Sequence, residues 1–163
     1  MDYNFDHIKH AELAQRYKNG ANWFYWIAGL TIVTSLIAFG GGGIRFLISL
    51  GSTQVIDGIA EALAPRLGGA VKVVALLLDL VVTGLFVLFG WLANKKHLWA
   101  YILGIVAFGL DGLVNLLGAD VIGVIAHVVI LFFLIRGFLA GRELVSLEKM
   151  MAEQAAQQAQ PAI

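Results

Sequence analysis

Cysteine is absent from this chain, proline occurs twice, and Asp, Glu, Lys and Arg together make up only 13% of it. The lack of cysteine excludes disulfides, thiolate catalysis and the usual structural zinc sites, and leaves the redox compartment open. The scarcity of charge sets the chain apart from soluble domains, in which about 25% of residues are charged. Lysine plus arginine balances aspartate plus glutamate at 11 each. The basic residues gather in no single segment, so there is no electrostatic footprint for nucleic acid. Catalytic signatures are missing too. Ser35, Ser49 and Ser52 lack the G-x-S-x-G context of a nucleophile elbow. The glycine run at residues 40–43 is not followed by the lysine of a phosphate loop. Neither an E-x-x-H pair nor an H-E-x-x-H helix occurs, which leaves a metal reading of the histidines and carboxylates weak. These lacks point away from an enzyme, and no cofactor is implied.

What the chain has is apolar length. Of its 163 residues 60% are hydrophobic, and the mean hydropathy is +0.83. Four stretches, residues 21–39, 69–92, 98–117 and 121–140, reach the roughly 20 residues needed to cross the hydrocarbon of a bilayer. A spanning segment must satisfy its backbone internally, so each is expected as an α-helix. The first follows a polar segment with Asp2, Asp6 and Glu12, unlike the short basic start of a signal peptide, and reads as a permanent anchor. Trp23, Trp26, Trp91 and Trp99 stand at the span ends, where interfacial aromatics belong. The 19 glycines fit close helix packing in lipid.

The expected fold is therefore all-α: a transmembrane bundle of four helices occupying residues 21–140. Residues 1–20 form a cytoplasmic helical segment before it, and residues 141–163 form a helical tail whose end frays. Between the first two spans, residues 44–66 read as a broken helical hairpin on or dipping into the outer face. Ser52 is the expected N-cap of its second arm and Pro65 its end. In that arm Val55, Ile56, Ile59 and Leu63 share one face, with Gln54, Asp57 and Glu61 on the other. Lys9, Arg16, Lys18, Lys95, Lys96, Arg136, Arg142 and Lys149 place both termini in the cytoplasm by the positive-inside rule, with Arg45, Arg66 and Lys72 against it.

Polar residues interrupt the apolar runs at Asp79, Asp111 and His127. Each acid costs roughly 2.5–3.5 kcal/mol on insertion scales, so it needs a partner, a water-filled cavity or a function. Asp111 lies about eight residues before the short turn 118–120 and His127 about eight after it, at matched depth in an antiparallel hairpin. Asp79 falls near the same level. Ala100, Gly104, Ala107, Asp111, Asn115 and Gly118 form a small, polar stripe at helical spacing. Lys72, Ala75, Asp79, Thr83 and Gly90 form another, and Ala28, Thr31, Ser35 and Ala38 a third. The candidate site joins Asp79, Asp111, Asn115 and His127, roofed by Gln54, Asp57 and Glu61. Two acids without a buried cation favour a cationic ligand, a metal or protons. The competing reading is a structural hydrogen-bond network that fixes helix register. Lys72 is expected to snorkel outward, Arg136 to reach headgroups or pair with Glu143, and His7 and His10 to be solvated.

The segments WFYWIAGL (23–30), STQVIDGIAEAL (52–63), LDG (110–112) and HVVILFFLIRG (127–137) resemble those of small uncharacterised bacterial four-helix integral membrane proteins. The resemblance covers most of the chain. It implies a bacterial inner-membrane location and no activity. The expected function is that of a non-catalytic accessory or scaffolding subunit of a membrane complex, with lipid and a protein partner or a second copy as its contacts. The alternative is a small cation- or proton-coupled channel or transporter that uses the outer-half polar cluster.

Overall fold

The computed structural model describes residues 3–40 and 50–158. It holds five α-helices: α1 Tyr3–Phe39, α2 Gly51–Leu67, α3 Ala70–Asn94, α4 Leu98–Leu117 and α5 Val121–Gln158. No strand occurs among the described residues. Four helices, α1, α3, α4 and α5, are long and apolar enough to cross a membrane. The helices pack on one another, with α1 lying against both α5 and α3, α4 against α5 and α3, and α2 chiefly against α3.

Two turns of the same design set the order of the last three helices. After α3, Lys96 N–H donates to the Ala93 carbonyl and His97 N–H to that of Leu92. After α4, Ala119 N–H donates to Leu116 and Asp120 N–H to Asn115. Both are Schellman closures, which satisfy the orphan carbonyls of the ending helix and need a left-handed residue just past it. That residue is Lys96 (φ 64°) in one and Ala119 (φ 54°) in the other. Asp120 then caps the next helix, its Oδ1 accepting from Gly123 N–H at 3.0 Å. A three-residue connection thereby folds α4 and α5 into a tight hairpin.

The interior has two parts. An aromatic core is built from Tyr17, Phe24, Phe86, Tyr101 and Phe108 with Ile27, Ile130 and Leu134. A smaller cluster of Leu13, Ala140, Leu144 and Leu147 zips the N-terminal part of α1 to the C-terminal part of α5. Glycines let these two antiparallel helices touch. A Cβ on Gly20 would lie 2.6 Å from the Gly137 Cα, and one on Gly137 2.7 Å from the Gly20 Cα. Outward, the surface is apolar: Leu77, Val81, Leu85, Leu103, Val106, Leu110, Val128 and Phe132 are all exposed. Inward, Thr31, Ser35, Thr53, Asp79, Thr83, Asp111, Asn115 and His127 are buried. This is the reverse of a soluble domain.

Several local expectations need correction. The segment before residue 20 is not a separate surface helix, because α1 runs through Gly20 without a break. The last helix continues to Gln158, as its expected helical tail requires. Ser52 is not the N-cap of α2. Leu50 holds that position without a side-chain bond, and Pro65 lies inside the helix, two residues before its end. The apolar residues Val55, Ile59 and Leu63 of α2 point outward. The first arm of the expected hairpin, residues 44–49, lies outside the described residues, as do residues 41–43 of the glycine run and the tail end, 159–163.

Candidate functional site

The polar residues singled out in the sequence fall into two groups with opposite character. The first is centred on Asp111 of α4. Its Oδ2 accepts from Gly51 N–H at 2.6 Å, and its Oδ1 accepts from Ser52 N–H at 2.9 Å and from the Ser52 hydroxyl at 2.6 Å. His127 of α5 brings Nε2 to 3.0 Å from Oδ2. The other ring nitrogen, Nδ1, is 2.8 Å from the Gly123 carbonyl. A carbonyl only accepts, so Nδ1 carries a hydrogen, and the contact of Nε2 with the carboxyl needs a second one, held on Nε2 or on Oδ2. The imidazole is stacked on Phe108 with ring centroids 4.3 Å apart. Asn115 Nδ2 stands at 3.5 Å from both the Asp111 carbonyl and His127 Nδ1, at the outer limit of hydrogen bonding.

This group explains how α2 begins without a cap of its own. The first N–H groups of a helix are orphan donors at its positive end, and an acid there is favourable on both counts. Asp111 supplies that acid from another helix. Gly51 is required by the closeness: a Cβ there would lie 2.6 Å from Asn115 Nδ2 and 3.0 Å from the Asp111 carbonyl. Three donors from the start of α2 and the His127 ring thus surround the Asp111 carboxyl. The arrangement holds α2, α4 and α5 in register.

The second group is centred on Asp79 of α3, which is 1% exposed. Ser35 of α1 and Asp57 of α2 face its carboxyl. Neither meets hydrogen-bonding geometry, and both carboxyl oxygens lack a hydrogen-bond partner among the described residues. The hydroxyls of Ser35 and of Thr83, one turn along α3, are unpartnered as well. Burial pushes the carboxyl of Asp57 above its ordinary value; the approach of Asp79 works against this, and the charge of Glu61 adds to it. Two ionised acids facing each other in a buried site without a donor are unfavourable, so one of the two favours a proton or a nearby positive charge.

The structure thus brings Asp111, Asn115 and His127 together and sets Asp79 apart with Asp57. Glu61 belongs to neither group: it is exposed and paired with Lys72 at 3.0 Å. That pair also accounts for Lys72, which neither points away free nor reaches Asp79. Gln54 is half-buried on α2, between the residues that serve the two groups. Sequence reasoning missed Gly51 and Ser52 as the donors to Asp111. The polar S-T-Q start of the α2 segment was a usable signal, though it reads first as a local cap. His10 is not simply solvated, since its Nε2 is 2.9 Å from Glu148. Arg136 does not pair with Glu143, which is taken by Lys9 at 2.7 Å. Among the described residues, no three or more His, Asp or Glu side chains group in a way that could hold a metal ion. No family model, curated protein or solved structure matches this chain.

Proposed function

We propose that this chain is an integral membrane protein whose helices α1, α3, α4 and α5 cross the bilayer as a bundle, and that Asp79 with Asp57 takes up a proton or a small cation from the outer side. Outward leucines, valines and phenylalanines against an inward row of Thr, Ser, Asp and His residues support the first part. Membrane-embedded acids turn toward the bundle interior and mark proton or ion pathways. The basic residues at the α1 and α5 ends and at the α3–α4 turn favour cytoplasmic termini, which puts α2 and its Asp57 on the outer face. The membrane that the resemblance implies is the bacterial inner membrane. The observation that carries the proposal is the buried Asp79 carboxyl, whose two oxygens have no hydrogen-bond partner. The role is non-catalytic.

The test is reconstitution into liposomes carrying a pH-sensitive or cation-sensitive dye. Wild-type chain should relax an imposed proton or cation gradient, and Asp79→Asn should lose most of that flux. Equal flux from both, or none from the wild type, sinks the proposal.

A second reading, an accessory or scaffolding subunit that joins a protein partner or a second copy, is favoured by a different observation. Helices α1 and α5 are 37 and 38 residues long. Each exceeds a span by a wide margin, and their paired ends form a platform. Native pull-down from membranes with mass spectrometry separates the two readings, because a subunit brings its complex with it.

A further inference from the structure

A cavity of about 350 Å³ opens between α1 and α5. On α1 its wall is Leu13, Arg16, Gly20 and Trp23, and on α5 it is Phe133, Arg136, Ala140 and Glu143. These positions recur every three or four residues, so each set is one continuous face of its helix. Gly20 and Gly137 line the cavity where the two helices touch. Trp23 is stacked on Phe133, centroids 5.3 Å apart. Arg136 and Arg16 line the cavity as well, the guanidinium of Arg136 turned toward Phe132 and that of Arg16 toward Glu12. The carboxyl of the lining, Glu143, is already neutralised by Lys9 at 2.7 Å. Arg136 makes no ion pair among the described residues, and its guanidinium lies 5.5 Å from the Phe132 ring centre. Arg16 spends one N–H on Glu12 at 2.5 Å and keeps the rest of its five donors.

Two arginines in the lining of an apolar groove, one of them without an ion pair among the described residues, suit a molecule with an anionic head and an apolar tail. Guanidinium binds phosphate oxygens in pairs. The volume is on the order of ten water molecules, which is too large for a single small ion. Both arginines sit at the end of the helices where Lys9, Lys18 and Arg142 also gather. Basic residues near a membrane surface are drawn to anionic leaflets. We propose that this groove is a binding site for an anionic phospholipid, with its phosphate on the unpaired Arg136, Arg16 as the second basic group of the lining, and its acyl chain laid against Trp23 and Phe133. The site rests on the membrane placement proposed above and is independent of Asp79.

The full chain is purified in detergent and offered phosphatidylglycerol, phosphatidylcholine with the same acyl chains, or inorganic phosphate. Native mass spectrometry reads the bound lipid, and thermal unfolding reads the phosphate arm. Phosphatidylglycerol should be retained in preference to phosphatidylcholine. Arg136→Gln should weaken that retention by roughly tenfold or more, the worth of a charge-assisted bond to phosphate. Arg136→Lys should recover part of it, and Lys149→Gln, in the tail, should leave it unchanged. Arg16→Gln makes the same test from the opposite helix if Arg136→Gln does not fold. Equal retention of the two lipids overturns the proposal. So does wild-type retention in both arginine variants, or stabilisation by inorganic phosphate equal to that by phosphatidylglycerol. Extraction of the chain from membranes by alkaline carbonate would instead overturn the membrane placement, whereas a chain that stays in the membrane without lipid preference fails only here.

Discussion

Asp79 and Asp111 are the same residue type at similar distances along neighbouring apolar helices, and the structure treats them in opposite ways. Asp111 is surrounded by two backbone N–H groups, a hydroxyl and an imidazole. Replacing it with alanine leaves those donors, and His127, buried without an acceptor. Breaking a buried charged network in this way costs about 3–5 kcal/mol. Asp111→Ala should therefore lower the unfolding midpoint in detergent strongly, and an unchanged midpoint would show that α2 is not anchored through this residue. Asp79→Asn removes a carboxyl that no donor stabilises, so it should leave stability equal or raise it, even where flux is lost. The matched depth of Asp111 and His127 was legible in the sequence, because a three-residue turn converts residue counts directly into height. The split between the two acids was not. Depth follows from counting, but the direction in which a side chain points around the bundle depends on which helices are neighbours, and α3 turns Asp79 toward α1 and α2.

At the level of elements, both ends of α3 and α4, the end of α1 and the start of α5 were legible to within two residues, because the apolar runs stop there at Gly, Lys and Asn residues. The turns were legible as short but not in their strain. Both Schellman closures carry a residue with a side chain, Lys96 or Ala119, at a left-handed position normally held by glycine. The left-handed conformation costs an L-residue roughly 1–2 kcal/mol. Ala119→Gly relieves this cost but makes the unfolded chain more flexible, and the net gain should be about 0.5–1 kcal/mol. A rise in the thermal midpoint checks it, and a fall would mean that the turn is not held in this conformation. Cross-helix capping was the least legible element. Nothing in a sequence says that the acid for the start of α2 comes from residue 111, and Ser52 two positions inside the helix imitates a local cap.

For the whole molecule, the contrast lies between the four apolar spans and the two helices that outrun them. At 1.5 Å per residue α5 is about 57 Å long, against a hydrocarbon thickness of about 30 Å. The surplus pairs with α1 through Leu13, Leu144 and Leu147. It is tied back to the α3–α4 turn by Glu148, which accepts from Lys96 Nζ at 2.7 Å and lies 2.9 Å from His10 Nε2. The bond from Lys96 first, then that from His10, holds the Glu148 carboxyl below its ordinary value of 4.5. A depressed acid stabilises the folded state above its unfolded value, and that contribution is lost as pH falls through the folded one. The unfolding midpoint of the wild type should thus drop more steeply than that of Glu148→Gln below about pH 4.5, and parallel curves would refute the tie. The polar-to-apolar switch near residue 20 hid the continuity of α1, since composition changes there while the helix does not.

That continuity has a mechanical side. Helix α1 is one unbroken rod from the cluster around Leu13 to Ser35, the residue that faces Asp79. An α-helix resists stretching, so a push or twist applied to its polar end arrives at Ser35 as the same displacement. The polar stalk of α1 is in this sense a push-rod whose far end lies beside the buried acid.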